Sequence, residues 1–280
     1  MRVGVVGCGL MGAGIAEVSA RAGQDVVVVE SDQHRVQAGL DRLRASLERA
    51  EAKGKIDSAA EVLRRIQVVD DLGALADREI VIEAIVEDEE LKTALFTQLD
   101  RIVTATDAIL ASNTSSIPIT RLAAATQRPA SVVGVHFFNP VPVLSLVEIV
   151  PGLRTADETV QRATAFAQDV LGKHAVRSAD RAGFVVNALL IPFVLSAVRM
   201  VESGFASAED IDEALVRGAA HPQGPLRLAD LIGLDTTAAV ARSLYEEFKE
   251  PLYAPPPLLL RMVEAGLLGR KSGQGFYSYE

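Results

Sequence analysis

A single cysteine, Cys8, stands in the 280 residues, so the chain has no internal disulfide. A lone thiol suits a reducing compartment, and a cytoplasmic protein is expected. Basic residues are outnumbered, with 28 Lys and Arg against 37 Asp and Glu and a formal charge of −9. A phosphate backbone needs a basic face, which argues against nucleic acid as the main partner. No apolar run approaches the roughly 20 residues that span a bilayer. The longest, residues 183–198, is interrupted by Asn187 and Pro192, and no membrane partner is expected. A strand-like run begins at Val3, so no signal peptide is expected. Repeats and low-complexity tracts are missing too; Pro255-Pro256-Pro257 is short enough to be a rigid turn. No metal is expected. What remains is ample: 49% of the residues are hydrophobic, enough for one large domain or two modest ones.

The first thirty residues carry a strong local pattern. An apolar strand over 3–6 runs into Gly7-Cys8-Gly9-Leu10-Met11-Gly12, followed by an apolar helix to Ala22, a second strand over 26–29 and Glu30 at its end. A lone GxGxxG is weak, but strand, glycines, helix, strand and terminal acid together match the dinucleotide fingerprint. Gly7 permits the tight turn, Gly9 lets a pyrophosphate approach the backbone, and Gly12 lets helix and strand pack closely. The helix N-terminus then offers amide N–H groups and a positive dipole end to the phosphates. Glu30 can accept hydrogen bonds from a ribose diol and would repel a 2′-phosphate, which favours NAD over NADP.

Helix and strand patterns then alternate. Residues 32–53 read as a long polar helix capped by Ser31 or Asp32, with a charged end over 48–55. Such a run is usually a solvated face, and it could also dock an anionic ligand. Strands are expected over 66–69, 79–85 and 108–111, and a helix over 88–103. Ser112-Asn113-Thr114-Ser115-Ser116 follows the last of these strands, on the edge where open parallel sheets bind ligands. These hydroxyls could meet a substrate oxygen or cap the next helix.

Residues 131–138 and 144–150 are two apolar runs separated by a turn that contains Pro140 and Pro142, and prolines stop ladder pairing. Each run holds one side chain capable of proton chemistry, His136 and Glu148. If the runs form a hairpin turning at Pro142, the two are directly opposed, with Cβ atoms roughly 5 Å apart. A carboxylate beside an imidazole fixes its tautomer and makes it a candidate general base. The pair alone also describes a satisfied core histidine beside a stray acid.

Thr155-Ala156-Asp157-Glu158 has the form of a capping box opening a helix to about Leu171, closed by Gly172. A last strand is expected over 174–178. From Gly183 strand patterns vanish, and helices are expected over 184–202, 208–217, 236–248 and 257–265. The domain boundary falls near Ala182. Asn187, an amide in an apolar helix, needs a partner or a role. The glycine-rich basic segment 269–277 cannot be a helix and could fold over a ligand.

These pieces together resemble the short-chain 3-hydroxyacyl-CoA dehydrogenase family, its bacterial 3-hydroxybutyryl-CoA dehydrogenases above all. GCGLMG (7–12), VIEAIVED (81–88), SNTSS (112–116), HFFNPVP (136–142), LVEIV (146–150), GFVVN (183–187), GLDTT (233–237) and GRKSGQGFY (269–277) occur in order and cover nearly the whole chain. The resemblance implies an α/β fold, with a Rossmann-like NAD-binding domain over 1–182 and an all-α substrate and dimerisation domain over 183–280. It implies a homodimer, NAD as cofactor and an acyl-CoA substrate.

Residue by residue, His136 corresponds to the catalytic base and Glu148 to its partner. Ser115 corresponds to the residue touching substrate and nicotinamide, and Asn187 to the amide that bonds the substrate carbonyl. Gly7, Gly9, Leu10, Met11, Gly12, Glu30, Glu87, Lys92, Ser115, Asn139 and Lys271 fall at cofactor contacts. Ser46 and Lys53, with Ser115 and Asn139, fall where the family meets the coenzyme A substrate. Two positions depart from the pattern, Glu30 where the family has Asp and Ala182 where it has Pro. A related NAD-dependent dehydrogenase of a small hydroxy acid or sugar acid, or a non-catalytic nucleotide-binding protein, are the other readings.

Overall fold

The computed structural model describes residues 1–279, and the chain divides into two units, Met1–Asp180 and Arg181–Glu280. In the first unit the apolar runs become the strands β1 (Arg2–Val6), β2 (Asp25–Val29), β3 (Ile66–Val69), β4 (Ile80–Glu83), β5 (Ile109–Ser112), β6 (Val132–Phe137), β7 (Leu146–Pro151) and β8 (His174–Arg177). They form one sheet in the order β3-β2-β1-β4-β5-β6-β7-β8. From β3 through β6 every pair is parallel, β7 is antiparallel to β6, and β8 is parallel to β7. Near-continuous valine and isoleucine runs suit strands covered on both faces. The covering helices are α1 (Leu10–Arg21), α2 (Gln33–Ala52), α3 (Ala59–Leu63), α4 (Glu89–Ile102), α5 (Ile119–Ala124) and α6 (Asp157–Ala165). The strand order reverses between β1 and β4, which places a crevice at their carboxyl ends.

Alternation along the strands sorts the side chains into two layers. Val3, Val5, Ile80, Ile82, Ile109, Val133, Val135, Phe137, Val147 and Ile149 share one core with Ile15 of α1, Leu43 and Leu47 of α2, and Ala163 of α6. The alternate positions face the other way. There Glu83, Ser112 and Gly134 are successive register partners, and a Cβ on Gly134 would meet the Ile119 side chain of α5 at 2.9 Å. His136 and Glu148 share this second face.

Local chemistry explains several element ends. Asp32 caps α2 by accepting from Arg35 N at 2.9 Å, and Asp88 caps α4 by accepting from Leu91 N at 2.9 Å. The expected capping box at Thr155 does not form. Thr155 Oγ1 donates to Val132 O at 2.6 Å and accepts from Gly152 N at 2.8 Å, so α6 starts without a side-chain cap. That helix passes into a π turn, Phe166–Val170, short of Gly172. The short helices α3 and α5 have too few turns to show a period in sequence.

The second unit contains α7 (Val186–Glu202), α8 (Ala208–Gly218), α9 (Pro225–Ile232), α10 (Leu234–Phe248) and α11 (Pro257–Glu264). Ile191, Val194, Leu195, Val198, Leu226, Ala238, Ala241, Leu244 and Leu259 form its core. Helix α9 follows α8 with Pro225 in its first turn and was not expected from sequence. The segment after Leu268 forms a 3₁₀ turn, Arg270–Ser272, and isolated β-bridges from Gln274 to Gly269 and Ser278, and it is tied down by Asp230. That buried carboxylate accepts from Phe276 N, Tyr277 N and Tyr279 OH at 3.0 Å each. A Cβ on Gly275 would lie 2.0 Å from Asp230 Oδ1, so glycine is needed there. Burial, and then the bond to Asp230, push the Tyr279 phenol up to about 12.

Candidate active site

The site in the first unit is built from loops at the carboxyl ends of β1, β2, β4, β5 and β6. The turn after β1 has Gly7 at φ 93°, a conformation that disfavours any side chain. A Cβ there would also meet Ala84 O at 2.7 Å. A Cβ on Gly12 would sit 1.9 Å from Gly7 O, whereas one on Gly9 would meet nothing within 4 Å. Gly7 and Gly12 are thus required by the turn itself, while Gly9 leaves room for a pyrophosphate. Helix α1 has no side-chain cap, so its first amides have no acceptor within the helix, which suits an anion. Glu30 reaches back across the turn: Oε1 accepts from Cys8 N at 2.5 Å and Oε2 from Ser31 N at 3.2 Å. Each oxygen keeps a lone pair for a ribose hydroxyl. These features fit a dinucleotide.

Burial first, then the Glu30 carboxylate, push the Cys8 thiol up to about 12. The thiol is therefore protonated and unreactive at neutral pH.

After β4 and β5 lies a compact ionic cluster. Lys92 Nζ is 2.7 Å from Glu83 Oε1 and 3.0 Å from Glu87 Oε2. Glu83 also accepts from Ser112 Oγ at 2.6 Å and Ile85 N at 2.8 Å. Glu87 Oε1 accepts from Thr114 Oγ1 at 2.6 Å, Ser115 N at 3.0 Å and Ser116 Oγ at 3.0 Å. Desolvation alone would raise the Glu87 carboxyl; the Lys92 charge and the Thr114 hydroxyl outweigh it and hold the group below its ordinary value of 4.5.

The hairpin of β6 and β7 pairs His136 directly with Glu148. His136 Nδ1 lies 2.8 Å from Glu148 Oε2, and the two residues are 6% and 0% exposed. A carboxylate is the natural acceptor, so the hydrogen of this bond is assigned to Nδ1, which fixes the tautomer of the ring. Phe138 packs edge-on to the imidazole, with ring centroids 4.5 Å apart. The turn is fixed at three points. Asn113 Oδ1 accepts from Phe137 N at 2.9 Å. Lys173 Nζ donates to Val141 O at 2.8 Å and Leu144 O at 2.7 Å. Val141 is buried against α1, so close that a Cβ on Gly14 would come 2.8 Å from Val141 Cβ. The hairpin that carries the dyad is therefore docked on the helix that follows the glycine turn.

The structure thus gathers Gly7, Gly9, Leu10, Met11, Gly12 and Glu30 at one turn, Glu87, Lys92 and Ser115 in one cluster, and His136 with Glu148 in one hairpin. Lys92 is 1% exposed, with its ammonium turned to the two carboxylates. Asn139 is exposed just beyond β6, Ser46 is half-buried on α2, and Lys53 is exposed at its end. Asn187 and Lys271 belong to the second unit. Asn187 is in the first turn of α7, half-buried, and Lys271 Nζ pairs with Asp235 Oδ1 at 2.5 Å. Sequence reasoning did not nominate Glu83, and it named Ser112, Asn113 and Thr114 only as members of the polar cluster 112–116. A carboxylate ending the apolar run of β4 was the available signal for the first of these.

A dinucleotide turn beside a buried imidazole–carboxylate pair, on one edge of a largely parallel sheet, defines a dehydrogenase-type site. Family models agree. The 3-hydroxyacyl-CoA dehydrogenase NAD-binding domain matches residues 2–181, and the 3-hydroxyacyl-CoA dehydrogenase C-terminal domain matches residues 183–279. The chain belongs to the 3-hydroxyacyl-CoA dehydrogenase family and is an NAD-dependent oxidoreductase acting on a CH–OH group. It is 59% identical to a 3-hydroxybutyryl-CoA dehydrogenase of Mycobacterium tuberculosis, over 99% of this chain and 98% of that one. It is 39% identical to the mitochondrial hydroxyacyl-coenzyme A dehydrogenase of Homo sapiens, over 99% and 91%. The crystal structure of (S)-3-hydroxybutyryl-CoA dehydrogenase from Ralstonia eutropha superposes with a TM-score of 0.93 at 45% identity, covering 100% of this chain and 99% of that one.

Proposed function

We propose that the protein interconverts (S)-3-hydroxybutyryl-CoA and its 3-oxo thioester, with His136 as general base and Glu148 as the group that orients it. The observation that carries the residue roles is the buried 2.8 Å contact between His136 Nδ1 and Glu148 Oε2. The glycine turn and Glu30 would hold NAD, which would supply the hydride acceptor for C3. His136 Nε2 takes the hydroxyl proton, and the Glu148 carboxylate stabilises the imidazolium that results. Ser115 and Asn187 hold the substrate oxygens, Ser46 and Lys53 contact the coenzyme A portion, and Asn139 and Lys271 are further cofactor contacts. Glu30 meets the adenosine ribose. A homodimer formed through the second unit is supported by its exposed Leu189 and Phe205, 73% and 77% accessible. A cytoplasmic place of action is supported by the lone, buried thiol of Cys8; among the described residues no helix is long and apolar enough to cross a membrane.

The test is NADH oxidation with acetoacetyl-CoA beside free acetoacetate. Turnover of the thioester and little of the acid is expected, with Lys53→Ala raising KM for the thioester alone. Equal rates on both would replace coenzyme A recognition by a small hydroxy acid reading. Glu148→Gln should lower kcat about 100-fold, because the amide can donate to Nδ1 and leave Nε2 protonated. An unchanged single-turnover rate would remove Glu148 from the dyad.

A further inference from the structure

Glu83 has no place in the chemistry described so far, yet it is the most enclosed acid of the cluster. It is 0% exposed, with Lys92 at 1% and Ser112 at 0%. We propose that Glu83 is a positioning residue that anchors the 113–116 loop, and with it Ser115, through two arms.

One arm runs along Oε2. Ser112 Oγ donates to it at 2.6 Å and in turn accepts Thr114 N at 3.1 Å. The other runs along Oε1, through Lys92 Nζ at 2.7 Å to Glu87, which collects Thr114 Oγ1, Ser115 N and Ser116 Oγ. Asn113 is held separately, its amide donating to Glu83 O at 2.8 Å and its Oδ1 accepting from Phe137 N at 2.9 Å, and beyond it the loop leans on the cluster. The amides of Thr114, Ser115, Ser116 and Ile117 donate to the side-chain oxygens of Ser112, Glu87 and Thr114. Amide exchange at 114–117 therefore reports directly on the cluster. Two carboxylates share one ammonium here, and a buried charge of this kind is sustained only by its full set of partners.

Glu83→Gln keeps the side-chain volume and the acceptor for Ile85 N. It presents an N–H donor to Ser112 Oγ, whose hydroxyl loses its acceptor, and it removes the charge that faces Lys92. Both arms weaken together. In ligand-free protein, exchange at 114–117 is expected to rise about tenfold, the scale of one lost charged hydrogen bond, while Val5 and Val135 keep their protection. The effect on rate rests on the reading of Ser115 given above. If that holds, Glu83→Gln lowers kcat about tenfold in the native background and not at all in a Ser115→Ala background. Unchanged exchange at 114–117, exchange raised equally in the strands, or additive rate losses would each overturn the proposal. Normal turnover in Ser115→Ala alone would count against the role of Ser115, and the exchange result would still judge the anchor. Should Glu83→Gln fail to fold, Ser112→Ala cuts one arm only and is expected to speed exchange at Thr114; no change there refutes the first arm and with it the two-arm anchor.

Discussion

Replacing His136 with glutamine is expected to lower kcat at least about 100-fold while leaving NAD affinity unchanged. A positioned general base contributes about 10²- to 10⁴-fold, and an amide cannot act as one. Glutamine is still polar enough to bond Glu148, so the buried carboxylate is not orphaned and the hairpin should hold. The glycine turn lies on β1 and α1, away from the substitution in the chain, and its geometry does not depend on the imidazole. Steady-state kinetics, NAD titration and a melting curve on one preparation separate these effects. Turnover close to the native rate would remove His136 from the chemistry. A collapse of NAD binding together with the melting temperature would mean that the histidine is structural.

Gly12→Ala is expected to weaken NAD binding about 100-fold. The added methyl would begin 1.9 Å from Gly7 O, and that neighbour is backbone, which cannot rotate away. Overpacking costs about 1–3 kcal/mol, and the upper end corresponds to about two decades of affinity. Relief requires α1 to move off β1 or the turn to open, and either change alters the amides that face the phosphates. Gly9→Ala is the control for the glycine turn. Its Cβ meets nothing within 4 Å in the protein, so the fold should tolerate it and only the ligand should register the loss. Calorimetric titration of NAD with the Gly12→Ala protein decides the matter, and affinity within a few-fold of native would show that the turn adapts.

Much of this arrangement could be read along the chain because its signals are local. The glycine spacing, the valine strands and the pairing of His136 with Glu148 follow from periods of two and from prolines that end a run. The first-unit helices α2 and α4 were legible as well, α2 from a cap at Ser31 or Asp32. Other features depend on residues far apart in sequence. The Thr155 hydroxyl looked like a cap, but it donates to Val132 O, 23 positions away, and its oxygen accepts from Gly152 N instead of from the helix. Glu83 looked like an interior position of the strand expected over 79–85, because nothing in its neighbourhood announces Ser112 on β5 or Lys92 nine positions on in α4. Asp230 holds the closing segment from about 46 positions away. The ion pair of Lys271 with Asp235 likewise joins residues far apart in the chain. Short elements such as α3, α5 and α9 escape for a different reason, since two turns or fewer cannot establish a period.

The reversal of direction at β7 limits how this protein's lineage can change. Parallel strands joined by helices tolerate insertions in their long connections, because the crossover absorbs them. The tight reversal between Phe137 and Leu146 does not. A single-residue insertion or deletion that slid one strand by one position would swing the carboxylate of residue 148 to the opposite side, among Phe137 and Val135, and leave the imidazole alone. Descendants of this sequence should therefore keep the length of the connection fixed and, within it, the Val141 that packs on α1.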